Sequence, residues 1–459
     1  MKRLRKLLLL VLVGVLVHSV AMAGKKPADV YIRTVKIEVI AERYDNAMAY
    51  LDTLFHYYGP HSEGLNWMGA IIIDLFGKTS DLEQKRVYVE KMVAYADSLH
   101  VCCANKEINK KYRKDCDKFI EKTDSTLEFY WRTLYNDGVT QVNQIQKAAK
   151  DLEAVSDSTE REFFQELLAA LIDTCLFNMS AAILIDSTDP RPYTGLAAVY
   201  EAKGDFPTSN EWLIRGLERA TERGQMLLQI GYNHVRLNEY CKAIPYLREF
   251  ADASPISVEN EEQMMLTMSN LSICYNNCQQ YDSAAGLYHR ILGVDAENTT
   301  ALTGLGRYHN EMARRASDSA NIYKSQADEA LTESWQARRD QHFDSSQVYL
   351  RRVFQLRPDD PDAAEEYGIV SYIRGRFEDA AEAFARVGEL RPDNVENWTS
   401  LGDCHISLQQ FADAAKAYEK VIELEPDNKQ VLEHLVDLYL ELGQSEKQEQ
   451  VEQKLRSLQ

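Results

Sequence analysis

The chain has 459 residues, of which 45% are hydrophobic and 10% aromatic, and a formal charge of −19. Its 21 Gly and 11 Pro are too few for a fibrous or low-complexity chain, and the length suffices to bury a continuous core. The acid excess argues against nucleic acid and against anionic membrane surfaces, which both select Lys and Arg.

Lys2, Arg3, Arg5 and Lys6 precede an apolar run from Leu7 to Val20, and Ala21-Met22-Ala23 is a small-x-small cleavage signal. This order reads as a secretory signal peptide over residues 1–23, with an uncleaved anchor as the alternative. It predicts an exported, periplasmic protein. No later segment reaches ~18 consecutive apolar residues, so no stable membrane span is expected after cleavage. Loss of the four basic leader residues raises the acid excess from 19 to 23, which favours basic or neutral partners. All eight cysteines follow the leader, an even count that permits disulfides in an oxidising compartment.

Residues 24–127 carry weak helical patterning: Tyr31, Tyr44, Ala47, Leu51 and Leu54, then Leu65, Met68 and Gly69. They are read as degenerate N-terminal helical repeats. Residues 128–189 open at Trp131 and Leu134 and predict one hairpin of lengthened helices. Residues 190–298 divide into units 190–223, 224–257 and 265–298, marked by Tyr193, Leu196, Ala197 and Tyr200, by Ile230, Gly231, Tyr240 and Ala243, and by Leu271, Tyr275, Ala284 and Tyr288. Residues 299–360 lack Pro and Gly from Met312 to Asp340 and predict a second extended hairpin, each helix longer by ~14 residues, or ~20 Å. In 361–459 the punctuation is plainest. Pro358, Pro392 and Pro426 fall 34 residues apart, each after a Leu-Arg or Leu-Glu pair and before Asp. Pro cannot continue a helix, and Asp or Asn caps the next one, so each segment reads helix, turn, helix, turn. The last segment ends in a polar helix suited to capping the stack.

Inside these units small residues alternate with aromatics. Trp398, Leu401 and Gly402 are followed by Ala414 and Tyr418, and Tyr367 and Gly368 by Ala380 and Phe384. A small residue lets two helices approach, and a ring fills the space beside the contact. The pattern resembles the tetratricopeptide repeat family, firmly over 190–459, less so over 128–189 and loosely over 28–127. The resemblance implies an all-α fold, a right-handed α-solenoid of helix-turn-helix repeats, two of them with extended helices. It also implies a protein-binding scaffold and not an enzyme.

In that family positions 2, 5, 9, 12 and 13 of each unit line a concave groove. Here they include Leu228, Tyr232, Arg236, Ile273, Asn277 and Arg307 in the middle units. Toward the C-terminus they include Glu365, Ile369, Tyr372, Glu396, Asp403, Glu433 and Asp437. Residues 361–459 hold 21 acids and 10 bases. The groove is therefore expected to take a basic or amphipathic protein or peptide segment. The repeat register puts Cys241 and Cys278 beside neighbouring hairpin turns, which suggests a disulfide. Cys102 or Cys103 with Cys116 is a second candidate, against the alternative that all are buried free thiols.

Chemistry is sparse. The chain has no phosphate loop, nucleophile elbow, zinc-protease helix or C-x-x-C pair. His56 and His61 merely flank a turn, and the many acids read as solvated faces. No cofactor or metal is expected. The rival functions are an accessory to an export or polymer-secretion assembly, a structural envelope protein, and an enzyme with an unrecognised site in 28–127.

Overall fold

From residue 298 to 428 five helices begin where a short polar side chain satisfies a free backbone amide. Asn298, Asp328, Asp360, Asn394 and Asn428 each accept a hydrogen bond from the first turn of the helix that follows. Between paired helices the chain reverses through one left-handed residue: Gly375 at φ 67°, Gln409 at 59° and Gly443 at 68°, again 34 apart. Glycine removes the steric cost of that conformation, and Gln409 bears it.

A computed structural model describes residues 25–458 apart from 109, 254–256 and 258. The expected signal peptide, 1–23, lies outside the described residues. The described residues form α-helices and one 3-10 turn, with no strand among them. The chain divides into two compact units, Met1–Leu237 and Asn238–Gln459, each a stack of antiparallel helices as in an α-solenoid.

In the first unit α1 (Ala28–Ile40) pairs with α2 (Tyr44–Tyr58), and α3 (Ser62–Lys78) with α4 (Leu82–Ala104). After the 3-10 turn (Lys110–Arg113), α5 (Cys116–Ala154) pairs with α6 (Ser158–Ile185), and α7 (Arg191–Ala202) with α8 (Phe206–Leu217). Helix α9 (Gly224–Arg236) packs on α8. In the second unit α10 (Tyr240–Ala253) packs on α11 (Glu261–Asn277), which pairs with α12 (Tyr281–Val294). Then follow α13 (Thr299–Ser325) with α14 (Glu329–Leu356), α15 (Pro361–Ile373) with α16 (Phe377–Leu390), and α17 (Val395–Ser407) with α18 (Phe411–Leu424). Helices α19 (Lys429–Glu441) and α20 (Ser445–Ser457) complete it.

Helices α13 and α14 have 27 and 28 residues, against 13 and 14 for α15 and α16. The long hairpin of the first unit differs from the sequence reading. Helix α5 starts at Cys116 and not at residue 128, and it runs for 39 residues. Its start is set by Asp115 at φ 56° after the 3-10 turn, neither of which uses the Pro or Gly that marks helix limits elsewhere. Helix α6 is the one helix among the described residues long and apolar enough to cross a membrane by length and composition. It packs against α4, α5 and α7.

The small-residue positions are filled as close contacts. A Cβ added at Gly402 would lie 2.4 Å from Tyr418 Cε1, one at Gly368 2.8 Å from Phe384 Cε1, and one at Gly304 2.3 Å from Tyr288. Rings thus sit directly on helix backbones, and Tyr367 and Tyr418 are among the largest fully buried side chains. In the first unit a buried amide serves the same joining role. Asn233 Nδ2 on α9 lies 3.0 Å from Glu201 Oε1 on α7 and 3.1 Å from Asn210 Oδ1 on α8.

Candidate partner-binding groove

In each repeat the first helix turns one face to its own partner and leaves another bare. On α15 Ala364, Tyr367 and Gly368 are buried, while Ile369, Tyr372 and Ile373 are 47%, 38% and 53% exposed. On α19 Leu432, Leu435 and Tyr439 are buried and Leu440 is 62% exposed. On α11 Ile273 is also exposed. These apolar side chains have no core to enter, and they fall at the expected groove positions. Burial, and after it the nearby Asp403 carboxylate of α17, raises the pKa of the Tyr372 hydroxyl, so the two first helices share one environment.

The acids of this face are of two kinds. Glu365 is held by Arg391, at 3.6 Å, and Arg391 also binds Asp362 at 2.6 Å. Asp403 accepts a hydrogen bond from the buried Tyr418, whose hydroxyl is pushed up by burial and by that carboxylate. By contrast Glu396, Glu433 and Asp437 form no ion pair among the described residues, and all three are exposed. Their charge is therefore open to an incoming cation. Tyr418 in turn stacks on His434, linking α17, α18 and α19.

The middle positions behave differently. Leu228 is not a groove residue: it is 1% exposed and belongs to the core. On α9 three consecutive residues, Met226 to Leu228, are all buried, so the helix is apolar around more of its circumference than the repeat register allows. Tyr232 is half-buried, and Arg236 stacks over Phe206 at 5.2 Å. These three residues lie in the first unit. In the second, Asn277 Nδ2 donates to Ile273 O of its own helix at 2.9 Å. Arg307 is not free: its Nε donates to Glu366 Oε1 at 2.9 Å. That pairing removes the cation that would receive a peptide carboxylate.

Cys103 and Cys116 form a disulfide that closes the loop before α5, and Cys241 and Cys278 form one joining the start of α10 to the end of α11. Cys102, Cys175, Cys274 and Cys404 are buried free thiols. Burial pushes Cys175 up to about 12 and Cys274 up to about 11, so they act as packing groups and not as nucleophiles. His61 is buried and caps α3 by accepting from the Gly64 amide. The cavity bordered by Asn66, Tyr95 and Thr123 holds about 30 Å³, room for about one water. Among the described residues no three His, Cys, Asp or Glu side chains are placed to hold a metal.

Sequence reasoning missed the His309–His342 pair, whose Nδ1 atoms lie 3.0 Å apart between α13 and α14. The two are 33 residues apart in sequence, and only the length of the hairpin brings them together.

Stacked hairpins with an open apolar and acidic face on their first helices define a helical-repeat scaffold for protein interaction. Sequence profiles of the tetratricopeptide repeat match residues 331–395 and 395–428. Residues 331–428 are thus tetratricopeptide repeats. No curated protein matches it. Among solved structures, a crystal structure of MamA protein is 16% identical with a TM-score of 0.31, covering 42% of this chain and 91% of that one. A MamA AMB-1 structure is 18% identical with a TM-score of 0.32, over 43% and 93%. The C-terminal part of a TPR repeat-containing protein from Cytophaga hutchinsonii is 13% identical with a TM-score of 0.40, over 57% and 93%.

Proposed function

We propose that the chain is a non-enzymatic scaffold of the bacterial envelope that holds a basic, amphipathic protein segment on the first-helix face of α15, α17 and α19. The observation that carries this is the pairing of exposed Ile369, Tyr372, Ile373 and Leu440 with the uncompensated acids Glu396, Glu433 and Asp437. Apolar contact supplies affinity, and the acids steer approach and select sign. The exported address is supported by the leader of residues 1–23 and by the two disulfides, which persist in oxidising compartments. Mature protein recovered from the periplasm should begin at Gly24, and an intact Met1 terminus on that protein would refute cleavage.

The binding test uses the purified chain and two synthetic helical peptides with the same leucine stripe, one with lysine and one with glutamate on the polar face. The lysine peptide should bind, associating more slowly as salt rises. The triple variant E396K/E433K/D437K should lower its association rate by about tenfold or more. Equal binding of both peptides, or indifference to salt and to the triple variant, overturns the reading.

A further inference from the structure

On the second helices of the regular repeats, every outward cation has an acid beside it. Arg386 Nη1 meets Glu389 Oε2 at 2.5 Å, and Lys420 Nζ meets Glu423 Oε2 at 2.5 Å. The repeat 265–298 breaks this rule at the same positions. Arg290 stands where those repeats place Arg386 and Lys420, and Gly293 stands where they place Glu389 and Glu423. Arg290 accordingly forms no ion pair among the described residues. One turn earlier, Gly286 replaces the long side chains of Glu382 and Lys416, and nothing lies within 4 Å of where its Cβ would be.

Gly286 borders a cleft of about 270 Å³ between α10, α11 and α12. Arg248 lines it from α10 and Arg290 from α12, with Ser283 and Gly286 also from α12. Arg248 forms no ion pair among the described residues either, although Asp252, which also lines the cleft, is one helical turn away. Leu271, Leu287 and Ala251 give it an apolar wall. Tyr275 also lines the cleft. It is 6% exposed, and its hydroxyl has no hydrogen-bond partner among the described residues. Its ring is packed while the hydroxyl stays open to the cleft, where it can donate to a ligand. The Cys241–Cys278 disulfide ties together α10 and α11, the helices that carry Arg248 and Tyr275.

We propose that this cleft binds a small ligand bearing an oxyanion, a carboxylate or a phosphate, on an apolar body. Two guanidinium groups and a phenol supply donors to the oxyanion, and charge-assisted bonds of this kind are the strong ones. Leu271 and Leu287 cover the body. Asp252 repels a bare dianion and accepts from a hydroxyl or ammonium next to the oxyanion. The site lies on α10, α11 and α12, apart from the acidic first-helix face, and does not depend on what that face holds.

The test is titration calorimetry of the full mature chain with benzoate and with phenyl phosphate. Saturable 1:1 binding of one or both probes is expected, and the tighter one identifies the head group. R290Q and R248Q should each weaken it by about tenfold or more. G286K, which restores the residue type found at Lys416, should abolish it by filling the cleft. G293E, which restores the acid found at Glu423, should weaken it by neutralising Arg290. Circular dichroism confirms that each variant is folded. Absence of saturable binding by both probes, or binding unchanged in R290Q and G286K, overturns the proposal.

Discussion

Acidification should loosen the long hairpin of the second unit before its neighbours, through His309. Its Nδ1 shares a hydrogen bond with His342 Nδ1 at 3.0 Å, and its ring stacks on Tyr349 with centroids 5.7 Å apart. Burial first, and then His342 and His289, lowers the His309 pKa to about 4, and burial lowers His342 as well. The folded value lies below the unfolded value of about 6.5, so the unfolded chain takes the proton first. The contribution is complete above pH 6.5 and is lost as pH falls toward 4. At about 1.4 kcal/mol per unit, moving from pH 7.5 to pH 5 removes about 2 kcal/mol. The two rings form a coupled pair, and both shifts have the same sign, so the direction does not depend on which ring is protonated first. Hydrogen exchange of peptides from α13 and α14, corrected for intrinsic rates, reads the opening free energy directly. H309F keeps the ring stack and removes the titration. It should show less than half the pH-dependent loss of the natural chain. An equal loss in both proteins refutes the assignment to His309.

Replacing Cys241 and Cys278 by serine frees a loop with a sequence separation of 37 and should cost about 2–4 kcal/mol in urea unfolding. At Gly402, substitution by alanine drives a Cβ to 2.4 Å from Tyr418. The ring cannot withdraw without leaving Asp403, so G402A should cost about 1–3 kcal/mol, measured by the same unfolding assay.

The exchange between length and punctuation explains what could be read in advance. From 361 onward each helix limit is set by local chemistry: Pro, an Asx cap, and a left-handed residue every 34 positions. Local chemistry is visible in one dimension, so the helix pairs and the Gly402–Tyr418 type of contact could be placed from spacing, whereas the positions of Ile369, Tyr372 and Glu396 in a groove came from the family resemblance. At Cys116 the helix limit is a 3-10 turn and a strained Asp115, which no composition rule marks, and the hairpin there was misplaced. Leu228 sits at a groove position by register, yet α9 buries three consecutive residues, Met226 to Leu228.

By itself the sequence determined the all-α repeat architecture and the acidic balance, because these follow from period and composition. Only the tertiary structure decided which charges are spent. Glu365 and Arg307 are neutralised by Arg391 and Glu366, partners 26 and 59 residues away, while Glu396, Glu433 and Asp437 remain open. The Arg248 and Arg290 cleft and the His309–His342 contact likewise arise from side chains on different helices. Coulomb and hydrogen-bond energies depend on distance through space, and a repeat period constrains that distance only within its own unit.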